Sequence, residues 1–208
     1  MGFWANLFKD DISKLSEYDC YMKAQTEYWD FQTGTHSNPS KALQYLDQAI
    51  KLNPKKAEAY WARGIAYQKL ENFNNAIDNF NRAIELEPSS KNYQSRGLCY
   101  QQFKNSNNAL EDLAFAIKLD HDDIANYFIR AGIYASLGQF KLSILDYNII
   151  IERQPYSFEA YFSRGYQYHE LFEYEKAIED YDHAIKLQPD VAIIHQYRDL
   201  AQQELNKN

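Results

Sequence analysis

The 208-residue sequence is 45% apolar and 25% charged, and its 22 basic and 29 acidic side chains give a formal net charge of −7. This balance describes a soluble globular chain able to bury a core; with no Lys/Arg stripe and no 18-residue apolar run, it argues against a nucleic-acid ligand and a membrane span. Two isolated cysteines, Cys20 and Cys99, exclude a disulfide framework or a cysteine zinc site, so a reducing, cytoplasmic setting is expected.

The first segment, 1–17, places Phe3, Trp4, Leu7, Phe8, Ile12 and Leu15 on one helical face. It has no basic leader and no small-residue cleavage site, and Asn6 stands where a myristoylation pattern needs Ser or Thr. Three roles stay open for it: a cap packed on the first helices of the chain, a partner or self-association contact, or a membrane-surface contact. Lys9 followed by Asp10 and Asp11 leaves no basic face, which disfavours the last. Residues 18–31 and 40–54 then form two expected helices around the polar loop "QTGTHSNPS" (32–40).

From residue 57 the sequence repeats itself. "AYWARGIAYQKL" (59–70) is echoed by "NYQSRGLCYQQF" (92–103), "NYFIRAGIYASL" (126–137) and "AYFSRGYQYHEL" (160–171). The small residues Gly64, Gly97, Ala131 and Gly165 recur at a spacing of about 34 residues, the period of stacked helical hairpins. A tyrosine lies four residues before each and another three after, which keeps both on the stripe of the small residue. A second helix succeeds the first, marked by Ala76, Ala109, Ser143 and Ala177 and then by Phe80, Leu113, Tyr147 and Tyr181. Short polar turns join the two helices, with Phe73, Phe140 and Tyr174 as apolar plugs and Ser106 breaking the pattern. Pro54, Pro88, Pro155 and Pro189 close the units, with His121 standing in once.

These residues resemble tetratricopeptide repeats of the Arg-Gly type over about 57–191. The resemblance implies an all-α, right-handed solenoid of about five helical hairpins. Its expected organisation is an N-terminal amphipathic segment (1–17), an array (18–191) and a C-terminal capping helix (192–208). Within the array, 18–56 is a divergent repeat with a long loop, succeeded by 57–89, 90–123, 124–157 and 158–191.

Reactive constellations are sparse. The five histidines form no His-Glu-x-x-His pair, and no phosphate loop or nucleophile elbow appears. "LDHDD" (119–123) groups three carboxylates but lacks the glycine and distal glutamate of a calcium loop, so a solvated turn is the expectation. Arg63, Arg96, Arg130 and Arg164 precede the small residues; either they form an anion ladder or they pair with Asn79, Asp112, Asp146 and Asp180 to fix helix register. No catalytic residue, metal or cofactor is expected.

The family resemblance implies that successive first helices line a concave groove. Carried over, its positions are Trp61, Ile65 and Gln68; Gln94, Leu98 and Gln101; Phe128, Gly132 and Ala135; Phe162, Tyr166 and His169. The family's clamp for C-terminal carboxylates does not carry over, because Trp61 and Ile65, or Gln94 and Leu98, occupy its Lys and Asn positions. A non-catalytic scaffold, adaptor or chaperone-like protein is expected, capturing an apolar peptide or amphipathic helix. Contact of these residues with a flanking helix of the same chain is the competing reading. The functional alternatives are an inhibitor or immunity protein gripping a folded toxin or enzyme and, more remotely, a metal-dependent enzyme using residues 120–123. Self-association through exposed aromatics stays open.

Overall fold

The computed structural model describes residues 11–29 and 38–207, the side chains of residues 28 and 29 excepted. The described residues contain no strand. A short 3-10 turn, Ile12–Lys14, precedes α1 (Glu17–Trp29), α2 (Pro39–Leu52), α3 (Ala57–Lys69), α4 (Phe73–Leu86), α5 (Ser90–Gln102) and α6 (Ser106–Leu119). The chain continues through α7 (Ile124–Ser136), α8 (Phe140–Arg153), α9 (Phe158–Glu170), α10 (Tyr174–Leu187) and α11 (Ala192–Leu205). It forms two compact units, Met1–Asp112 and Leu113–Asn208.

Four of the hairpins share one turn. Glu71, Lys104, Gly138 and Phe172 all have positive φ, between 56° and 70°. The amide after each donates to the carbonyl five residues back, as in Asn72 N to Tyr67 O at 2.9 Å and Glu173 N to Tyr168 O at 2.9 Å. This is a Schellman closure, which satisfies the last carbonyls of the first helix and reverses the chain within three residues. The turns are therefore tighter than the sequence implied. Phe73, Phe140 and Tyr174 are not plugs within them but the first residues of the second helices, the place that Ser106 takes in α6. Side-chain caps start several helices: Asn72 accepts from Asn75 N, Ser89 from Asn92 N and Ser157 from Ala160 N.

Within each hairpin the small residue sets the interhelical approach. A Cβ on Gly64 would lie 2.7 Å from the Phe80 ring, and one on Gly165 would lie 2.9 Å from the Tyr181 ring. Both rings are fully buried, which is worth about 1.5–3 kcal/mol for a large side chain. Alanines at the flanking positions, Ala76, Ala83, Ala177 and Ala184, leave the space those rings fill.

In the first unit, Ile12 and Leu15 pack against the cluster of Ala24, Ala42, Tyr45 and Leu46. Phe3, Trp4, Leu7 and Phe8, expected on the same face, lie outside the described residues, as does most of the 32–40 loop. In the second unit, α11 keeps the register of a first helix. Arg198 stands one repeat beyond Arg164 and donates to Asp182. The stripe that elsewhere carries Tyr, a small residue and Tyr becomes His195, Asp199 and Gln202, with the first two exposed.

Candidate functional site

The first unit brings Trp61, Ile65 and Gln68 of α3 into one neighbourhood with Leu98 of α5. Ile65, Gln68 and Leu98 line a cavity of about 690 Å³ together with Lys69, Glu71, Phe73 and Gln102. Gln68 Nε2 donates to Gln102 Oε1 at 2.9 Å, so an amide pair crosses the site beside an apolar floor. Phe73 and Phe103 extend that floor, with ring centroids 5.6 Å apart. Trp61 is tethered: its Nε1 donates to Ser95 Oγ at 2.8 Å, and Lys91 Nζ sits 3.4 Å from its ring centroid. Gln94 is half-buried and Gln101 exposed, and neither lines the cavity.

Two positions were not found from the sequence. Helices α1 and α3 have the same length, and aligning their first residues sets Tyr21 and Gln25 at the positions of Trp61 and Ile65. Lys56 Nζ lies 4.9 Å from the Tyr21 ring centroid, much as Lys91 covers Trp61. The long first loop hides this register, since it stretches the first spacing beyond that of the other repeats. Matching helix starts, in place of a fixed period, was the available signal.

In the second unit the expected positions are largely engaged by the chain's own aromatics. Phe128 meets Tyr147 edge-on at 6.1 Å. Phe162 packs on Tyr181 at 5.9 Å and on Tyr197 of α11 at 5.6 Å, and Tyr166 meets Tyr197 at 5.5 Å. His169 stands edge-on to Tyr174 at 5.3 Å. Gly132 is exposed with open space where a Cβ would be, and Ala135 is half-buried. Contact with a flanking helix of the same chain thus accounts for much of the surface of Phe162 and Tyr166.

The repeated arginines fix register. Arg96, Arg130 and Arg164 each grip an aspartate 16 residues on through Nε and Nη2, at 2.6–2.9 Å. Arg63 Nε reaches Asn79 Oδ1 instead, at 2.7 Å. Most also reach back to the previous second helix: Arg63 to Asp47, Arg96 to Asn81, and Arg164 to Asn148. One guanidinium thus staples two successive second helices, with Nε, Nη1 and Nη2 each committed to a structural partner in Arg96 and Arg164. Burial pushes the Asp112 and Asp180 carboxyls above the usual carboxylate range, while the arginine hydrogen bonds pull them back.

The 119–123 turn is likewise committed to local structure. Asp123 caps α7 by accepting from Ala125 N, Asp120 accepts from Asp122 N, and Asp122 pairs with Arg153 at 3.2 Å. Among the described residues no group of three or more His, Cys, Asp or Glu side chains is placed to hold a metal ion. Cys99 is fully buried and burial pushes its thiol up to about 11, so it packs as a small apolar residue. No described helix is long and apolar enough to cross a membrane.

Comparison with known proteins matches a family model described as "Tetratricopeptide repeat" to residues 57–90 and 158–191, and one described as "TPR repeat" to 40–71. The human serine/threonine-protein phosphatase 5 is 32% identical over 119 residues, 57% of this chain and 17% of that protein. A UDP-N-acetylglucosamine--peptide N-acetylglucosaminyltransferase of Giardia intestinalis is 45% identical over 51 residues, 24% of this chain and 3% of that protein. The chain therefore spans less than a fifth of either relative. Among solved structures, YrrB, described as a TPR protein with an unusual peptide-binding site, superposes with a TM-score of 0.72 at 21% identity, covering 95% of this chain and 98% of its own. The MamA protein superposes with a TM-score of 0.70 at 20% identity, covering 83% and 94%. At these identities the likeness carries the fold alone.

Proposed function

Because the chain is a tetratricopeptide repeat protein, a family of protein-interaction scaffolds, we propose that it captures an apolar peptide or helix segment of a partner protein. The observation that carries this reading is the cavity of about 690 Å³ in the first unit, whose lining joins Ile65, Gln68 and Leu98 from two successive first helices. Its size suits a few side chains of a bound segment. Ile65, Leu98 and Phe73 offer apolar surface for an anchoring side chain, while Gln68 and Gln102 offer donors and acceptors to a peptide backbone. Gln94 and Gln101 on α5 add further amides along the same helix. The lining belongs to packed helices, so the scaffold contributes little ordering cost on binding.

In the second unit, Phe128, Phe162, Tyr166 and His169 supply a more aromatic surface, on which Tyr197 of α11 already rests. This reading takes 18–191 as the array and 192–208 as its cap, and it assigns the protein no catalytic step. YrrB's described peptide-binding site lends the reading support by analogy of fold. Two buried free cysteines fit a cytoplasmic setting.

The test is affinity capture from native lysate with wild type and with the Ile65→Gln/Leu98→Gln protein, then mapping of retained partners on overlapping peptides. A partner held by wild type, lost by the variant and reduced to a short apolar segment is the expected result. Equal capture by both proteins, with helical content unchanged, would move the site away from the cavity.

A further inference from the structure

The solvent-facing side of the second helices departs from the repeat most fully in α8. Three positions spaced i, i+3 and i+7 form its outer stripe. In α4 they hold Asn75, Asp78 and Arg82, and in α10 Lys176, Glu179 and His183, none of them buried. In α6 they hold Asn108, Glu111 and Phe115, of which Phe115 alone is apolar, 42% exposed. In α8 they hold Leu142, Leu145 and Ile149. Leu142 is 42% exposed, Leu145 57%, and Ile149 is half-buried. The hairpin core does not require the two leucines, because α8 already buries Ser143, Ile144, Asp146, Tyr147 and Ile150 on its inner side, and Ile149 alone of the stripe also packs against that core. Leu142 and Leu145, one turn apart and continued by Ile149, form a contiguous apolar patch at positions that hold charge in α4 and α10, and a contiguous patch is the mark of an interaction surface.

The charges around the stripe indicate which surface fits. Lys141 and Glu152 are both exposed and stand just beyond its two ends. They are eleven residues apart, which is three helical turns plus about 20°, so both lie on the same flank of the stripe. When a helix pairs antiparallel with its own copy about a two-fold axis, each flank meets the same flank running the other way. Lys141 of one copy then faces Glu152 of the other, twice over, with the leucines enclosed between. A face that is apolar along its centre and carries opposite charges at its two ends on one flank is self-complementary, as a two-fold interface has to be. We propose that α8 is the contact helix of a homodimer, pairing antiparallel across Leu142, Leu145 and Ile149. A contact one helix wide makes this a concentration-dependent dimer rather than an obligate one.

Sedimentation equilibrium of the full chain from about 1 to 100 µM tests the proposal. Wild type should show a monomer–dimer equilibrium, and Leu145→Glu should weaken it by about tenfold or more. Lys141→Glu alone should weaken it by about two- to fivefold, and Lys141→Glu with Glu152→Lys should restore it to within about twofold, because the swap returns the opposed signs. Glu179→Lys, at the matching position of α10, should leave it unchanged. Circular dichroism of each variant checks the fold, which these exposed positions should not disturb. A wild type that stays monomeric throughout overturns the proposal. So does a dimer insensitive to Leu145→Glu, or a double charge swap that fails to restore what the single reversal removed.

Discussion

The two units use one backbone rule and line it differently. Met1–Asp112 carries 13 basic and 14 acidic side chains, a net charge of −1, whereas Leu113–Asn208 carries 9 and 15, a net charge of −6. The first presents an amide-edged cavity with Lys56 and Lys91 over aromatic rings; the second sets Phe162 and Tyr166 at the positions of Trp61 and Ile65 and packs both on Tyr197 of α11. The Schellman turn and the small residue opposite a ring are common to both. What separates the units is therefore carried by side chains that the hairpin geometry leaves free to vary, and it can be tested by substitutions at matching positions.

The largest expected difference concerns the arginine staples. Arg164→Ala would leave the Asp180 carboxylate, 6% exposed, without its cation, at a cost of about 3–5 kcal/mol. Arg63→Ala would lose a hydrogen bond to neutral Asn79, an ion pair with Asp47, 59% exposed, and a contact with the Tyr60 ring, and would leave no buried charge unpaired, at about 1 kcal/mol. The pH dependence should separate them further. Burial already raises the Asp180 carboxyl, and without Arg164 it rises more, so the folded variant holds a proton that the unfolded chain releases. The Arg164→Ala protein should thus recover stability as pH falls from about 7 towards 5, and Arg63→Ala should not, as read by urea unfolding at both pH values.

Gly64→Leu and Gly165→Leu come next. At both sites the first added carbon already meets a buried ring, at 2.7 and 2.9 Å, so each should cost about 1–3 kcal/mol in thermal melts. Gly132→Ala, on a first helix of the second unit with nothing within 4 Å, should instead stabilise by about 0.5–1 kcal/mol through helix propensity. Similar losses at Gly64 and Gly165 would show that the units share their packing rule; a large disparity would break that equivalence.

Tyr147 and Tyr181 occupy matching positions and should respond oppositely to loss of the hydroxyl. The Tyr147 hydroxyl has the hydroxyls of Ser163 and Ser143 in its neighbourhood, while the fully buried Tyr181 hydroxyl has no hydrogen-bond partner among the described residues. The reason is one substitution in register: the place of Ser163 is taken, one repeat on, by Tyr197. Tyr147→Phe should cost about 1 kcal/mol, and Tyr181→Phe should be neutral or gain up to about 1 kcal/mol. Burial also raises the Tyr181 phenol above the ordinary tyrosine range. Its contribution to stability is complete below the unfolded value of about 10 and is lost as pH rises beyond it, so Tyr181→Phe should flatten the alkaline limb of a pH–stability curve.

The repeating core was legible in the sequence because one geometry is written several times: Gly64, Phe80 and Ala83 each sit one repeat away from a residue in the same role. The groove positions were legible only as positions. That Trp61 is bound to Ser95 and covered by Lys91 depends on side chains about one repeat away, whose rotamers no period encodes. Tyr21 and Gln25 were hidden by a loop of different length, and the engagement of Phe162 and Tyr166 by Tyr197 depends on α11, where the stripe has turned polar and the repeat signal fades. The turn was obscured for a local reason. Phe73 and Tyr174 look like residues plugging a loop, but a left-handed residue at 71 or 172 shortens the reversal and releases them to begin a helix.

That left-handed residue supplies the smallest of the expected effects. The same φ region is occupied by Gly138 in the second unit and by Lys104 in the first, at 70° and 59°. A lysine there holds its Cβ against the following carbonyl, a contact worth roughly 1 kcal/mol that glycine avoids, against which glycine loses more backbone entropy on folding. Lys104 is exposed, so its removal leaves no cavity. Lys104→Gly should therefore stabilise by about 0.5 kcal/mol, and Gly138→Ala should destabilise by about 1 kcal/mol, both within reach of paired urea titrations. Opposite signs at these two sites would show that the hairpins share one turn and differ only in how each sequence meets its demand. A loss at Lys104→Gly would mean that its side chain contributes more to the turn than the backbone strain removes.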